Sequence, residues 1–99
     1  MKVAVMGYGT IGSGVVEVLE VNKGLIANRV GESIEVKYIL DLRDFPGDPY
    51  EDKVIHDYQT IVKDEEVELV VEAMGGVEPA YTFVKAMLEA GKHVTTSNK

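Results

Sequence analysis

An α/β fold with a doubly wound, parallel sheet is what this sequence predicts, and three features predict it. Short β-branched apolar runs alternate with segments of helical period. The runs are nearly all apolar, as strands buried on both faces are. The first of them ends in a glycine turn, Gly7-Tyr8-Gly9-Thr10-Ile11-Gly12, which opens the first helical segment.

Each element has its own signal. Lys2–Met6 (KVAVM) is a short apolar strand. Apolar positions then recur at Ile11, Val15, Val18, Leu19 and Ile26, which is helical spacing. That helix is expected to start near Thr10 and end between Asn22 and Asn28, with Gly24 and Gly31 as candidate stops. Residues 33–40 (SIEVKYIL) read as a second strand ending at Asp41. Residues 44–52 hold Pro46, Gly47 and Pro49 among four acids, which is loop chemistry and reads as a surface excursion. A short strand over 53–56 and a short helix over 57–63 follow, with Asp57 as N-cap. Residues 68–73 (ELVVEA) read as a buried strand closed by Gly75-Gly76. A helix over 78–90 has Pro79 in its first turn, a stripe of Ala80, Val84, Met87 and Leu88, and Gly91 as C-cap. Residues 92–97 form the last strand. Strands alternating with helices in this way are joined by right-handed crossovers.

At 99 residues the chain is one domain at most, spanning 1–99. A domain of this size buries about two-thirds of its unfolded surface, so its core is small. The formal net charge is −7 and no Lys/Arg cluster forms a phosphate-tracking stripe, which argues against nucleic acid. An acidic surface does not exclude one anionic ligand held by local backbone dipoles. There is no cysteine, hence no disulfide, thiolate metal site or cysteine nucleophile. No basic leader precedes the first strand, and no apolar stretch approaches the roughly 18 residues of a membrane span. The expectation is a cytoplasmic protein with no membrane partner.

The glycine turn is the first functional signal. A GxGxxG that follows a strand and opens a helix is the Rossmann dinucleotide fingerprint. In that reading Gly7 permits the tight turn, Gly9 lets a diphosphate approach the backbone, and Gly12 lets helix and strand pack closely. The diphosphate sits on the free amides of the helix start, at Thr10, Ile11 and Gly12, with the Thr10 hydroxyl nearby. The predicted fold is therefore a Rossmann-type doubly wound parallel sheet, and an incomplete one.

Other candidates lie on the same carboxyl edge of the sheet. Asp41, at the end of the second strand, is placed to hold the ribose 2′-hydroxyl of NAD, although it lies 29 residues beyond Gly12 against the roughly 20 expected. Arg43, two residues on, is placed to pair with the 2′-phosphate of NADP. The two argue for opposite cofactors, and both stay open. In Ala73-Met74-Gly75-Gly76, after the fourth strand, the glycine pair lets the backbone pass close to the nicotinamide ribose. Lys99, off the end of the last strand, is a candidate proton or oxyanion partner. His56 and His93 have no partners at metal or triad spacing and read as surface or structural residues. No metal is expected.

These residues resemble a known family. Gly7-Tyr8-Gly9-Thr10-Ile11-Gly12-Ser13-Gly14 is similar to the GxGTVGxG of homoserine dehydrogenases. Glu72-Ala73-Met74-Gly75-Gly76 with Pro79-Ala80 looks like their E-x-x-GG-x-x-PA segment. Residues 91–99 (GKHVTTSNK) are similar to their GKHVVTANK, with Thr95 for Val and Ser97 for Ala. The resemblance implies a NAD- or NADP-dependent oxidoreductase of amino-acid biosynthesis that interconverts homoserine and aspartate 4-semialdehyde. It places Met74 and Gly75 on the nicotinamide side. It implies Lys99 as the first of two active-site lysines, also near the cofactor. The family's substrate-binding acids, second lysine and dimer-forming sheet lie downstream. The chain is thus expected to be the nucleotide half of a homo-oligomeric enzyme, inactive alone. The alternative from another class is a stand-alone dinucleotide-sensing module.

Overall fold

The computed structural model describes residues 1–22, 34–74 and 80–96. Five strands, β1 (Lys2–Met6), β2 (Glu35–Leu40), β3 (Val54–Ile55), β4 (Val67–Glu72) and β5 (His93–Thr96), form one sheet. Every pairing is parallel, and the order across the sheet is β3-β2-β1-β4-β5. The chain runs outward from β1 to β3, then returns to the other side of β1 for β4. A doubly wound sheet opens its ligand crevice at that reversal, between the carboxyl ends of β1 and β4.

Among the described residues three helices cover the two faces: α1 (Thr10–Val21), α2 (Tyr58–Lys63) and α3 (Ala80–Glu89). The alternation within β1 separates the two cores. Val3 and Val5 point to one face, with Val36, Ile39 and Val16 of α1. Ala4 and Met6 point to the other, with Val70, Ile61 of α2 and Met87 of α3. Because β1 is central, both its faces are covered, which is why its run carries no polar alternation.

Element ends follow the expected chemistry, with some shifts. The Asp57 carboxylate caps α2 by accepting from Gln59 N–H at 2.9 Å. Gly91, at φ +83°, closes α3, and its N–H donates to the Leu88 carbonyl. The loop after β2 is less of an excursion than its composition predicts. It contains a 3-10 turn (Glu51–Lys53), and Phe45 and Tyr50 pack against the first core. In α1 the fully buried side chain is Val16, whereas Ile11 and Val18 are more than half exposed. In α3 Leu88 is exposed and Phe83 packs inward beside Met87. The positions expected at Ser33, Ile26, Gly24, Gly31, Glu78 and Pro79 lie outside the described residues. Among the described residues no helix is long and apolar enough to cross a membrane.

Gly14 is an exposed helix-interior position where an added Cβ meets nothing within 4 Å. Gly14→Ala is expected to raise unfolding free energy by roughly 0.5–1 kcal/mol. Urea denaturation of the two proteins measures this, and an unchanged midpoint would contradict it.

Candidate dinucleotide-binding site

Three strands end level with one another at the crevice. Met6 pairs with Leu40 on one side and with Glu72 on the other. Gly7, Asp41 and Ala73 therefore follow together at the carboxyl edge. Gly7 N–H donates to the Leu40 carbonyl at 2.7 Å, and Ala73 N–H donates to the Met6 carbonyl at 2.8 Å.

The three glycines of the turn are required for different reasons. Gly7 has φ +100°, which L side chains rarely adopt, and a Cβ there would lie 2.9 Å from the Ala73 carbonyl oxygen. Gly12 faces the turn so closely that a Cβ would come within 1.7 Å of the Gly7 oxygen. Gly9 meets neither constraint. Its φ is −82°, and an added Cβ would meet nothing within 4 Å. It is the N-cap of α1 and makes no side-chain cap bond, where Ser, Thr, Asp or Asn would serve the helix at least as well. Among the described residues nothing asks for glycine at position 9, and the open space beside it leaves room for a ligand to approach the backbone.

The amides of Thr10, Ile11 and Gly12 precede the first rung of α1, which is Ser13 N–H to the Gly9 carbonyl at 2.9 Å. Thr10 and Ile11 are exposed and Gly12 is buried. Their N–H groups lie at the positive end of the helix dipole, beside the space over Gly9. The residues present thus fit a diphosphate.

Asp41 and Arg43 are paired with each other. The guanidinium grips the carboxylate with both arms, Nε to Oδ1 at 3.1 Å and a terminal nitrogen to Oδ2 at 3.0 Å. Arg43 N–H donates to Oδ1 and Tyr8 N–H to Oδ2, each at 2.9 Å. Burial alone would raise the Asp41 carboxyl, but the guanidinium and the two backbone donors outweigh it and hold the group down at about 2. Arg43 itself remains largely exposed at the rim.

His56 completes this corner, and sequence reasoning missed it. β3 pairs with β2, Leu40 opposite Ile55, so the residue after β3 comes to lie beside Asp41. Its Nδ1–H donates to the Asp41 carbonyl at 2.7 Å and its Nε2–H to Asp44 Oδ1 at 2.9 Å. Both partners are acceptors, so the arrangement favours the doubly protonated ring over either neutral tautomer. The Asp41 carbonyl chiefly, then the Asp44 carboxylate, raises its pKa above the usual histidine value. A strand-pairing prediction would have been needed to find it.

These groups line a cavity of about 350 Å³. Gly7, Gly9, Asp41, Arg43, His56 and Met74 contribute to it, and Leu42 and Phe83 add apolar walls. The volume suits one nucleoside half of a dinucleotide. Glu72, buried at the end of β4, accepts from Met74 N–H at 2.7 Å and from the Thr96 hydroxyl at 2.6 Å. It thereby fixes the turn after β4 against the end of β5. Gly75 and Lys99 lie outside the described residues. Among the described residues no cluster of three or more His, Asp or Glu could hold a metal ion.

Comparisons with known proteins agree with this geometry. The family model of the homoserine dehydrogenase NAD-binding domain matches residues 7–99. The chain is 35% identical to a homoserine dehydrogenase of Helicobacter pylori over 101 residues, covering 100% of this chain and 24% of that protein. It is 39% identical to one from Pseudomonas aeruginosa, covering 100% and 23%. A crystal structure of Staphylococcus aureus homoserine dehydrogenase superimposes with a TM-score of 0.89 at 33% identity, over 100% of this chain and 26% of that one. The chain spans about a quarter of the length of these relatives.

Two predictions follow from the site. Gly12→Ala is expected to destabilise the fold by at least about 3 kcal/mol, since backbone must move. Gly9→Val is expected to leave the protein folded, with a melting temperature lowered by about 4–8 °C for the poorer N-cap, and to abolish dinucleotide binding. Melting curves with calorimetric titrations distinguish the two, and a folded Gly9→Val that still binds would contradict the reading. The second concerns pH. The folded-state pKa of His56 is raised, so its stabilising effect is full below its unfolded pKa and is lost as pH rises through the folded value. NMR titration is expected to place His56 above the free-histidine value of 6.5. His56→Asn is expected to remove the corresponding slope of stability against pH.

Proposed function

The chain belongs to the homoserine dehydrogenase NAD-binding-domain family, and on that footing we propose that it binds NADP in preference to NAD across the β1/β4 crevice. The observation that carries the binding site is Gly9: a glycine that none of the described residues requires, facing open space at a helix start. The diphosphate rests on the Thr10, Ile11 and Gly12 amides, and Met74 and Gly75 flank the nicotinamide end.

Cofactor choice turns on Asp41. A ribose 2′-hydroxyl needs a free carboxylate oxygen, yet four donors already occupy the two that Asp41 has. A 2′-phosphate needs cations, and the Arg43 guanidinium lies at the cavity beside the His56 ring, whose two acceptors raise its affinity for a second proton. Arginine also offers a planar fork that matches phosphate oxygens.

The parent activity we assign is interconversion of homoserine and aspartate 4-semialdehyde, in a homo-oligomer roughly four times the length of this chain. The bound cofactor supplies or accepts hydride there. Lys99 polarises the substrate oxygen or holds its proton, with a second lysine from the rest of the enzyme. Residues 1–99 form the NAD(P)-binding unit and do not turn over homoserine alone. A substantial rate of homoserine-dependent NAD(P) reduction by this chain would contradict that assignment.

Calorimetric titration with each dinucleotide tests the binding claim. NADP is expected to bind more tightly than NAD, and Arg43→Ala to weaken NADP by about tenfold, as loss of a charge-assisted bond does. NAD binding in that variant is expected to hold or improve as Asp41 is released. Tighter binding of NAD by the unaltered chain would overturn the NADP assignment.

A further inference from the structure

Resting on the NADP reading, we infer that Tyr8 and Phe45 are positioning residues that set cofactor specificity by holding Arg43 at the cavity rim. Arg43 is 64% exposed, and a long exposed side chain has many rotamers to choose from. Two contacts narrow that choice. One is the Asp41 carboxylate. The other is the face of Phe45, whose ring centre lies 5.2 Å from the guanidinium carbon.

Phe45 is held in turn by Tyr8. Phe45 stands in the Pro/Gly/acid loop, where no strand or helix fixes it. The Tyr8 and Phe45 rings meet edge to face, with centroids 4.9 Å apart and planes at 83°. Tyr8 occupies the position between Gly7 and Gly9, and it is only 7% exposed. Its hydroxyl donates to Asp48 Oδ1 at 2.8 Å, and the same oxygen accepts Tyr50 N–H at 2.9 Å. Burial first, and then this bond, push the phenol up to about 12, so it remains a donor throughout the working pH range.

The contacts close a circuit. The glycine turn holds Tyr8, Tyr8 holds Phe45, Phe45 holds Arg43, Arg43 grips Asp41, and Asp41 accepts the Tyr8 amide. The loop is thereby fastened to the same turn that receives the diphosphate. Arg43 is set in a fixed relation to that turn, which is what a 2′-phosphate requires of its partner. A stack of this kind adds nothing to NAD binding, because NAD presents no charge at that corner.

The test is the ratio of NADP to NAD affinity, measured by calorimetry alongside melting curves. Phe45→Leu keeps apolar bulk and removes the aromatic face. It is expected to lower the NADP preference by about two- to five-fold, the range of an exposed cation–π contact. Tyr8→Phe keeps the ring and removes only the bond to Asp48, and it is expected to lower the preference in the same direction by less. Tyr38→Phe is the control: it removes a comparable bond, to Asp64 at 2.6 Å, at the opposite end of the sheet. It is expected to reduce stability and leave the ratio unchanged. An unaltered ratio in Phe45→Leu, with Arg43→Ala still lowering it, would overturn this inference and leave the NADP reading intact. An unaltered ratio in Arg43→Ala would overturn both. A fall in Tyr38→Phe equal to that in Phe45→Leu would show general loosening and overturn the positioning role.

Discussion

The approach of helix α1 to the turn at Gly7 is the constraint on which the rest of the structure depends. A single methyl at position 12 would lie 1.7 Å from a backbone oxygen, so this contact admits only glycine. With α1 that close, its first amides sit directly over the end of β1. The crevice between β1 and β4 then has a positive rim on one side and the Ala73-Met74 backbone on the other. The helix direction also fixes which of its faces meets the sheet. Positions 12, 16 and 20 lie one turn apart, and all three turn inward: Gly12 and Val16 are buried, and the Glu20 side chain is 10% exposed beside Lys53.

That phase explains what the sequence reading of α1 got wrong. Valine or leucine stands at 15, 16, 18 and 19, so apolar spacing alone supports more than one face. Val15 and Leu19 of the expected stripe do pack against the core, but the inward face also carries a glycine, which contributes no hydrophobic signal, and a glutamate, which contributes an opposing one. The glycine motif was the better guide, because close packing at Gly12 is a steric demand and leaves no choice of phase. In α3 the error has a similar form: Phe83 was passed over and Leu88 preferred, although Phe83 stacks on Tyr58 with centroids 4.5 Å apart. The parallel, doubly wound character of the sheet, by contrast, is readable, since β-branched runs separated by helices leave few topologies.

The candidate site was legible wherever a residue type has one local job. Gly7 and Gly12 could be assigned separately because a turn and a helix contact ask for glycine on different grounds, and the structure shows both. Asp41 and Arg43 could be located at the strand end, but their relation could not. Read along the chain they argue for opposite cofactors, and in space they neutralise one another. His56 gave no local signal, since it reaches Asp41 only through the pairing of β3 with β2. The Pro/Gly/acid loop misled for a related reason. Its composition describes its backbone, whereas its position is decided by two aromatic residues, Phe45 and Tyr50, packed against the core.

The two ends of the sheet divide the work. At the amino end of β4, Asp64 accepts from the Tyr38 hydroxyl and pairs with Lys37, while the buried Lys92 ammonium donates to the Asp64 and Val67 carbonyls. The Asp64, Lys37 and Lys92 charges are answered by neighbouring groups, and the Lys37 ammonium and Tyr38 hydroxyl hold the Asp64 carboxyl down at about 2. At the carboxyl end the pattern differs. Three amides at the start of α1 precede the first rung, Gly9 faces open space, and Arg43 stays mostly exposed while paired. The helix-start amides and Gly9 would weaken a purely structural element, since neither makes the capping contact a Ser, Thr, Asp or Asn side chain would supply. Their concentration at one edge, with the polar lock at the other, separates stability from recognition. It also accounts for how a chain of net charge −7 can receive an anion: the acids near the site are answered locally before the ligand arrives.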